Sequence, residues 1–506
     1  MKKHLITAAI LPRKYSLHIT IILLAVMSLY PLFTAIIYPH HFLNDDSFIT
    51  LTYSKNIALG RGFIFNHPPA TLGTTTPLFA LIIAFLSKIL PNVEIPVIAV
   101  FFTTFCWIGI VWIFFIFRHK WQIPLYGILI IAFVFYALGW IKFLGMEAYP
   151  FALLLTLSIS LFLSDRLIPT GFIAGLLFLT RGEGILILLV FFIATYLKYR
   201  TTRDFKYISN SIFKILTAFA IPTLLWFLFA YSNFGVLLPN TLSAKQAQGQ
   251  NNVFNTFFIK LVNWLPTWFK QFEIFYPINI SWILVPLGLI VALRRNRQWL
   301  MWVGWMAFYV IGYSILGVAA YAWYFLPIVF VLNLLLSLGI IQVISFTIEK
   351  INNLLLKAAF LSFFTVISVW TLIKPMPDYG LLYEGDPRAK SYINLSHWFN
   401  RNAKPDESIA YIEIGYLGYY TDNKIIDLAG LVLSDIVFYV SKGDFTSGFW
   451  KYRPDYYVYL PDFDWALAGI RADPRFDLEY QAVATLLGPR ENNFTIYKRR
   501  SLLNTP

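Results

Sequence analysis

The chain has little of what a soluble protein is built from. Only 13% of its 506 residues are Asp, Glu, Lys or Arg, where a soluble domain carries roughly 25%. Cysteine occurs once, at Cys106, which excludes an intrachain disulfide framework and a cysteine metal site. Acidic residues are outnumbered, 26 against 40 basic ones. The sequence contains no Walker loop and no dinucleotide fingerprint, so a cytosolic nucleotide-driven mechanism lacks support. It also has no fixed-period repeat and no low-complexity tract.

What is present in excess is apolar. Hydrophobic residues make up 58% of the chain and aromatics 19%, with 48 Phe, 30 Tyr and 16 Trp. That much bulky apolar surface exceeds what a soluble core encloses and points to a polytopic membrane protein. A crossing helix needs about 20 apolar residues. Runs of that character lie at 17–38, 95–117, 121–141, 149–164, 212–231, 277–293, 299–317, 325–346 and 356–373. A shorter pair, 168–180 and 184–197, is broken by Thr180-Arg181-Gly182-Glu183-Gly184 and reads as a hairpin. The 14-residue run 77–90 is too short to cross and reads as an interfacial or re-entrant helix. The first apolar run lacks a cleavage site and is expected to be retained as a helix.

The net charge of +14 looks at first like a nucleic-acid signal. Its distribution says otherwise. With the N-terminus placed inside, the cytoplasmic pieces carry 17 Lys/Arg against 3 Asp/Glu, and the outer loops 8 against 6. Every basic cluster falls inside, as the positive-inside rule requires. The expectation is an all-α polytopic membrane domain of about 11 spans over 1–373, with outer loop 39–94 carrying the helix 77–90. Residues 374–506, with 15 Lys/Arg and 17 Asp/Glu, form a C-terminal extracytoplasmic α/β domain. Its strands are read at 408–420, 424–428, 456–460 and 494–497, and an amphipathic helix at 388–402. No nucleic-acid partner is expected.

The unusual polar residues gather on the outer side. They are His40 to Asp46 after the first span, Lys142 to Tyr149, the Arg181–Glu183 apex, and Leu238 to Lys245. A helix of 13 residues rises about 20 Å, so the apex falls short of the boundary of a core about 30 Å thick. Charge there needs a partner or a wet cavity. Structural roles compete for each residue: Asp45 or Asp46 as an N-cap, Glu147 as a first-turn acid, Arg181 and Glu183 as a packing ion pair, and Lys245 as a solvated cation. Gly171 and Gly175 read as a close helix contact. The adjacent His40 and His41 do not make a zinc site.

Together these groups suit one reaction class. Sugar transfer from a polyprenyl-phosphate donor needs a cation on the leaving phosphate and a carboxylate for the acceptor's proton, both recessed beside lipid. The residues resemble the GT-C superfamily of membrane glycosyltransferases, whose recurrent mark is an acidic pair after the first span, here Asp45-Asp46. Closer still is a resemblance to the mycobacterial terminal arabinofuranosyltransferases. It rests on Asp45-Asp46-Ser47-Phe48-Ile49, Lys55-Asn56, Gly60-Arg61-Gly62, Gly145-Met146-Glu147, Thr180–Gly184, Leu238–Lys245 and Asp427-Leu428-Ala429-Gly430-Leu431. The resemblance implies inverting transfer of one sugar in cell-envelope synthesis at the bacterial cytoplasmic membrane. It implies Asp45 or Asp46 as general base, with Glu147 beside it. Arg181, Lys245 and Arg61 become candidates for the donor phosphate, and Glu183 and Asn240 for orienting groups. Any divalent ion, Mg or Mn, would fall to Asp46 and Glu147. The acceptor is a glycan, lipid or protein. Alternatives are an envelope polymerase or ligase using lipid-linked oligosaccharide, a flippase or transporter, and a membrane scaffold.

Overall fold

The computed structural model describes residues 13–65, 70–137, 143–250, 256–270, 281–351, 386–489 and 492–502. The expected span at 356–373, Lys142, and parts of 121–141 and 277–293 lie outside the described residues. Among the described residues fifteen helices order the first part: α1 (Arg13–Ile37), α2 (Asp45–Ala58), α3 (Pro77–Ile89), α4 (Ile95–Ile116), α5 (Arg118–Trp121), α6 (Leu125–Ala137), α7 (Ala148–Leu163), α8 (Leu167–Thr180), α9 (Leu186–Thr202), α10 (Phe205–Phe234), α11 (Asn240–Gln250), α12 (Phe257–Lys270), α13 (Ser281–Arg294), α14 (Leu300–Leu316) and α15 (Leu326–Lys350). Among the described residues five helical stretches are long and apolar enough to cross a membrane: Ser16–Ile37, Ile95–Ile116, Phe205–Phe234, Arg297–Leu316 and Trp323–Lys350. Five shorter apolar helices accompany them, α3, α7, α8, α13 and Leu125–Tyr136 within α6. The chain is a multi-pass membrane protein.

The interrupted pair is as the sequence implies. The α8 helix ends at Thr180, a 3-10 turn occupies Gly182–Ile185, and α9 starts at Leu186. Gly171 and Gly175 let α8 lie directly on α10. A Cβ at Gly171 would sit 2.1 Å from the Ile215 carbonyl oxygen, and one at Gly175 would sit 2.7 Å from that of Phe219. The short helix α3 packs against α2 and α4.

The C-terminal part carries a five-stranded mixed sheet of β1 (Ser408–Tyr411), β2 (Lys424–Asp427), β3 (Tyr456–Tyr459), β4 (Tyr480–Leu487) and β5 (Asn493–Arg499), ordered β2-β1-β3-β5-β4. The β1 strand pairs parallel with β2 and β3, and β5 runs antiparallel to β3 and β4. The all-buried β3 sits mid-sheet. Helix α16 (Ala389–Asn402) buries Tyr392, Leu395 and Phe399. One expectation is corrected here. The strand read at 408–420 stops at Tyr411, and Gly415–Tyr420 is a helix, α17. Its first turn is capped from elsewhere in the chain, a signal that local sequence does not contain.

Candidate active site

The acidic pair opens α2, but neither aspartate caps it. Asn44 does: its side chain accepts from the Ser47 amide at 3.0 Å, and Ser47 Oγ accepts from the Asn44 amide at 3.3 Å, a reciprocal capping box. The carboxylates are thereby released for other partners.

Asp45, 5% exposed, turns toward the C-terminal domain. Its Oδ2 accepts from the Gly415 amide at 3.0 Å and its Oδ1 from the Tyr416 amide at 2.9 Å, so it caps α17. Only glycine fits at 415, where a Cβ would fall 1.7 Å from the Asp45 carbonyl oxygen. Burial, with the Glu413 carboxylate nearby, pushes the Asp45 carboxyl well above the usual range, against the pull of the two amides. The same contact buries Phe48, whose ring lies 4.5 Å from that of Tyr416 and 5.2 Å from that of Tyr419.

Asp46 is half-buried, one residue along and differently surrounded. Burial raises its carboxyl, and Lys245 and Arg388 oppose that rise. Lys245, on α11, is held by aromatic rings. Its Nζ lies 5.2, 5.4 and 5.0 Å from the ring centroids of Tyr321, Trp323 and Tyr324. Burial works against the ammonium, but Tyr324 and Asp46 outweigh it and hold Lys245 above its ordinary value. The α11 helix is pinned to the segment bearing those rings: the Ala319 amide donates to the Lys245 carbonyl at 3.1 Å, and a Cβ at Gly249 would fall 2.0 Å from the Gly317 carbonyl oxygen.

Arg388 comes from the start of α16. Its Nε and Nη2 donate to the two Asp386 oxygens at 2.9 and 3.0 Å, and Nη1 donates to Glu413. Glu413 also accepts from the Tyr392 hydroxyl, which lies 3.0 Å from that of Tyr411. Sequence reading missed Arg388, Glu413 and the Tyr321–Tyr324 rings. Arg388 and Glu413 sit in stretches of ordinary polarity and the rings in an apolar run, so neither stands out before the tertiary fold brings them to Asp45, Asp46 and Lys245.

Glu147 and the apex form a separate knot. Arg181, 4% exposed, donates from Nη1 to Glu147 Oε1 at 3.0 Å and from Nε to Glu183. Glu183 accepts a further bond from Tyr313 Oη at 3.2 Å. Two of the guanidinium's nitrogens are thus committed to carboxylates. Glu147 still bears electrostatically on Asp46, but its Oε1 is held by Arg181. Among the described residues no group of three or more His, Cys, Asp and Glu is arranged to hold a metal ion. Asp46 with an arginine-bound Glu147 does not amount to a cation cage, and no chemistry is routed through one.

Two sequence candidates stand elsewhere. Arg61 pairs with Asp422 at 3.2 Å, beside Lys55, whose Nζ donates to the Tyr419 carbonyl at 2.7 Å. Both clamp α2 to the C-terminal domain. Asn240 donates from Nδ2 to the carbonyls of Gly430 and Leu431 at 2.7 and 3.2 Å. The loop it grips is folded around Asp427, fully buried, which accepts from the amides of Ala429 and Val432 at 2.8 Å each. Burial pushes Asp427 up to about 6. Gly430 supplies the left-handed turn at φ +76°.

A domain of unknown function (DUF8728) matches residues 382–497. No curated protein matches the chain by sequence. The fold is shared with solved structures. ArnT from Cupriavidus metallidurans bound to undecaprenyl phosphate aligns at TM-score 0.57 and 12% identity, over 94% of this chain and 97% of that one. Its apo state aligns at 0.58 and 12%, over 96% and 98%. The Archaeoglobus fulgidus oligosaccharyltransferase, tethered to an acceptor peptide containing the NVT sequon, aligns at 0.59 and 11%, over 92% of this chain and 72% of that one. The shared architecture is the GT-C fold. The narrower likeness to mycobacterial arabinofuranosyltransferases finds no counterpart among these.

Proposed function

We propose that the chain is a membrane glycosyltransferase that moves a single sugar from a polyprenyl-phosphate donor to an acceptor hydroxyl, with inversion, on the outer face of a bacterial cytoplasmic membrane. The observation that carries this reading is the setting of Asp46. It is an aspartate at the start of α2, half-buried, whose carboxyl feels the opposing charges of Lys245 from the membrane part and Arg388 from the C-terminal part. The acceptor oxygen attacks the anomeric carbon as its proton passes to Asp46. The bond from that carbon to the phosphate oxygen breaks, and Lys245 offsets the charge left on the polyprenyl phosphate, with Arg388 adding its charge from where Asp386 and Glu413 hold it. Asp45 holds the C-terminal domain, and with it Arg388, against α2. Arg181 positions Glu147 and Glu183 at the apex.

Support for the lipid-linked donor comes from the shared fold with ArnT, crystallised with undecaprenyl phosphate. Transfer of a whole oligosaccharide is the second reading, favoured by the comparable TM-score to the oligosaccharyltransferase. The fuller mutual coverage with ArnT favours the polyprenyl-phosphate donor. About 11 spans with the C-terminal domain outside fit both.

The test is genetic and chemical. Deleting the gene and comparing envelope glycans and glycolipids by mass spectrometry should show one sugar missing from one acceptor. Wild-type protein should restore it, while Asp46→Asn at equal membrane abundance should not. Full restoration by Asp46→Asn would sink the assignment, and loss of a whole oligosaccharide would select the second reading.

A further inference from the structure

The long helix α10 ends at Phe234 and is closed by Gly235 in the left-handed conformation, φ +68°. The chain then runs through Val236, Leu237 and Leu238, which are 47%, 46% and 59% exposed, before α11 begins at Asn240. Three consecutive exposed aliphatic residues in water carry a cost that a loop of polar residues would avoid.

The fold brings a fourth exposed apolar residue to the same place from the other domain. Asn240 binds the Gly430 and Leu431 carbonyls, and Gly430 lies against Val437, whose Cγ2 would be 3.3 Å from a Cβ at position 430. Val437 opens the short helix Val437–Ser441, which packs along α11. Its next residue, Phe438, is 60% exposed. The exposed Lys442 follows, with its ammonium 4.1 Å from the Phe438 ring centroid. Val440 is buried and Val437 is half-buried against Gly430, while Phe438 is exposed, so the helix presents an aromatic ring and a cation on its open side.

We propose that Val236–Leu238 and Phe438, with Lys442, form a foot that enters the outer interface of the bilayer and seats the C-terminal domain on the lipid surface. The occupant is the phospholipid layer itself. The patch is continuous with α10, whose own outer end shows exposed Leu228, Phe229 and Tyr231 along a helix apolar enough to cross the membrane. An aromatic ring paired with a basic head suits the headgroup region: the ring lies at the acyl boundary and the ammonium reaches the phosphates. A protein partner would meet an apolar patch that ends in a transmembrane helix and has no room for a polar rim on that side. The foot stands independently of the catalytic reading, although it holds α11, and therefore Lys245, at a fixed depth.

The full-length protein in phospholipid nanodiscs tests it directly. Phe438→Cys and, separately, Leu237→Cys are labelled with an environment-sensitive fluorophore. Cys106 is buried, so unlabelled wild type serves as the background control. Both positions are already exposed, so the substitutions leave packing intact. Fluorophores at 438 and 237 should emit to the blue of their value in water and be quenched several-fold more by shallow nitroxide-labelled lipid than by aqueous iodide. Adding Lys442→Glu should weaken lipid quenching at 438. Quenching by iodide in preference to lipid at 438, with lipid quenching retained at 237, would overturn the foot while leaving α10 in the membrane. A water-like signal at both positions would overturn it altogether.

Discussion

Asp45 and Gly415 lie 370 positions apart in sequence and are joined by a 3.0 Å bond from the Gly415 amide to the Asp45 carboxylate, with the Tyr416 amide on the other oxygen at 2.9 Å. The first residue of one helix therefore caps another. An acidic pair that opens a helix near a reaction site invites the same role for both members, and their surroundings divide them: Asp45 closes the joint to the C-terminal part, and Asp46 feels the charges of Lys245 and Arg388.

Asp45→Asn tests the division. An amide retains one acceptor but points its NH₂ at the second backbone N–H and removes the charge from the N-terminus of α17. A capping loss costs about 1–2 kcal/mol, read as a lower unfolding temperature and faster protease cleavage after residue 386. Gly415→Ala should be worse, because its Cβ has no space. Asp46→Asn should leave the unfolding temperature nearly unchanged and lower transfer by roughly 10²–10⁴-fold, the range of a lost general base.

The pH profile carries a sign that follows from the surroundings of Asp46. A base works only when deprotonated, so activity falls as pH drops through its pKa. Burial raises that pKa above the ordinary aspartate range, which places the acid limb at higher pH than an ordinary aspartate gives. Lys245 opposes the rise. Replacing it by methionine should move the limb further up, toward neutrality, in addition to lowering the plateau. A profile from Lys245→Met that keeps the wild-type limb would remove Lys245 from the neighbourhood of the titrating group.

Arg181 is predicted to behave as a crosslink. Removing it by Arg181→Met leaves Glu147 and Glu183 buried without their cation, and breaking a buried pair in this way costs about 3–5 kcal/mol. The unfolding temperature in detergent should drop sharply. Adding Glu147→Gln and Glu183→Gln to that variant should recover part of the loss, because neutral amides no longer repel. A stable Arg181→Met whose only defect is a raised donor KM would instead make Arg181 a phosphate ligand.

Much of this was legible in the sequence for a physical reason. Charges in an apolar chain are expensive, so where they occur they mark either a membrane side or a site. That logic gathered Asp46, Glu147, Arg181 and Lys245, and it found the break at Thr180–Gly184. It did not separate site residues from joint residues. Arg61 and Asn240 occur in the same kind of motif as Lys245, yet one pairs with Asp422 and the other grips the Gly430 loop. Arg388 and Glu413 escaped notice because the C-terminal domain has ordinary polarity, where a charged residue carries no such signal. The sequence of helix α17 reads as strand because its cap, Asp45, is supplied from the other end of the chain.

The two cations around Asp46 come from opposite domains, and their cooperation is measurable. Lys245→Met and Arg388→Met should each slow transfer by roughly 10²-fold if each helps to hold the leaving phosphate. Lys245→Arg should not rescue, since a planar guanidinium does not occupy the space that three rings leave for an ammonium. Arg388→Met should also lower stability, because Asp386 and Glu413 lose their shared partner, and Arg388→Lys should recover only part of the loss, because an ammonium cannot reproduce the two-point contact with Asp386. Two groups acting on one phosphate do not contribute independently, so the double variant should lose less than the product of the single losses. If the losses multiply, the two cations serve different groups, and Arg388 belongs to the acceptor side of the cleft.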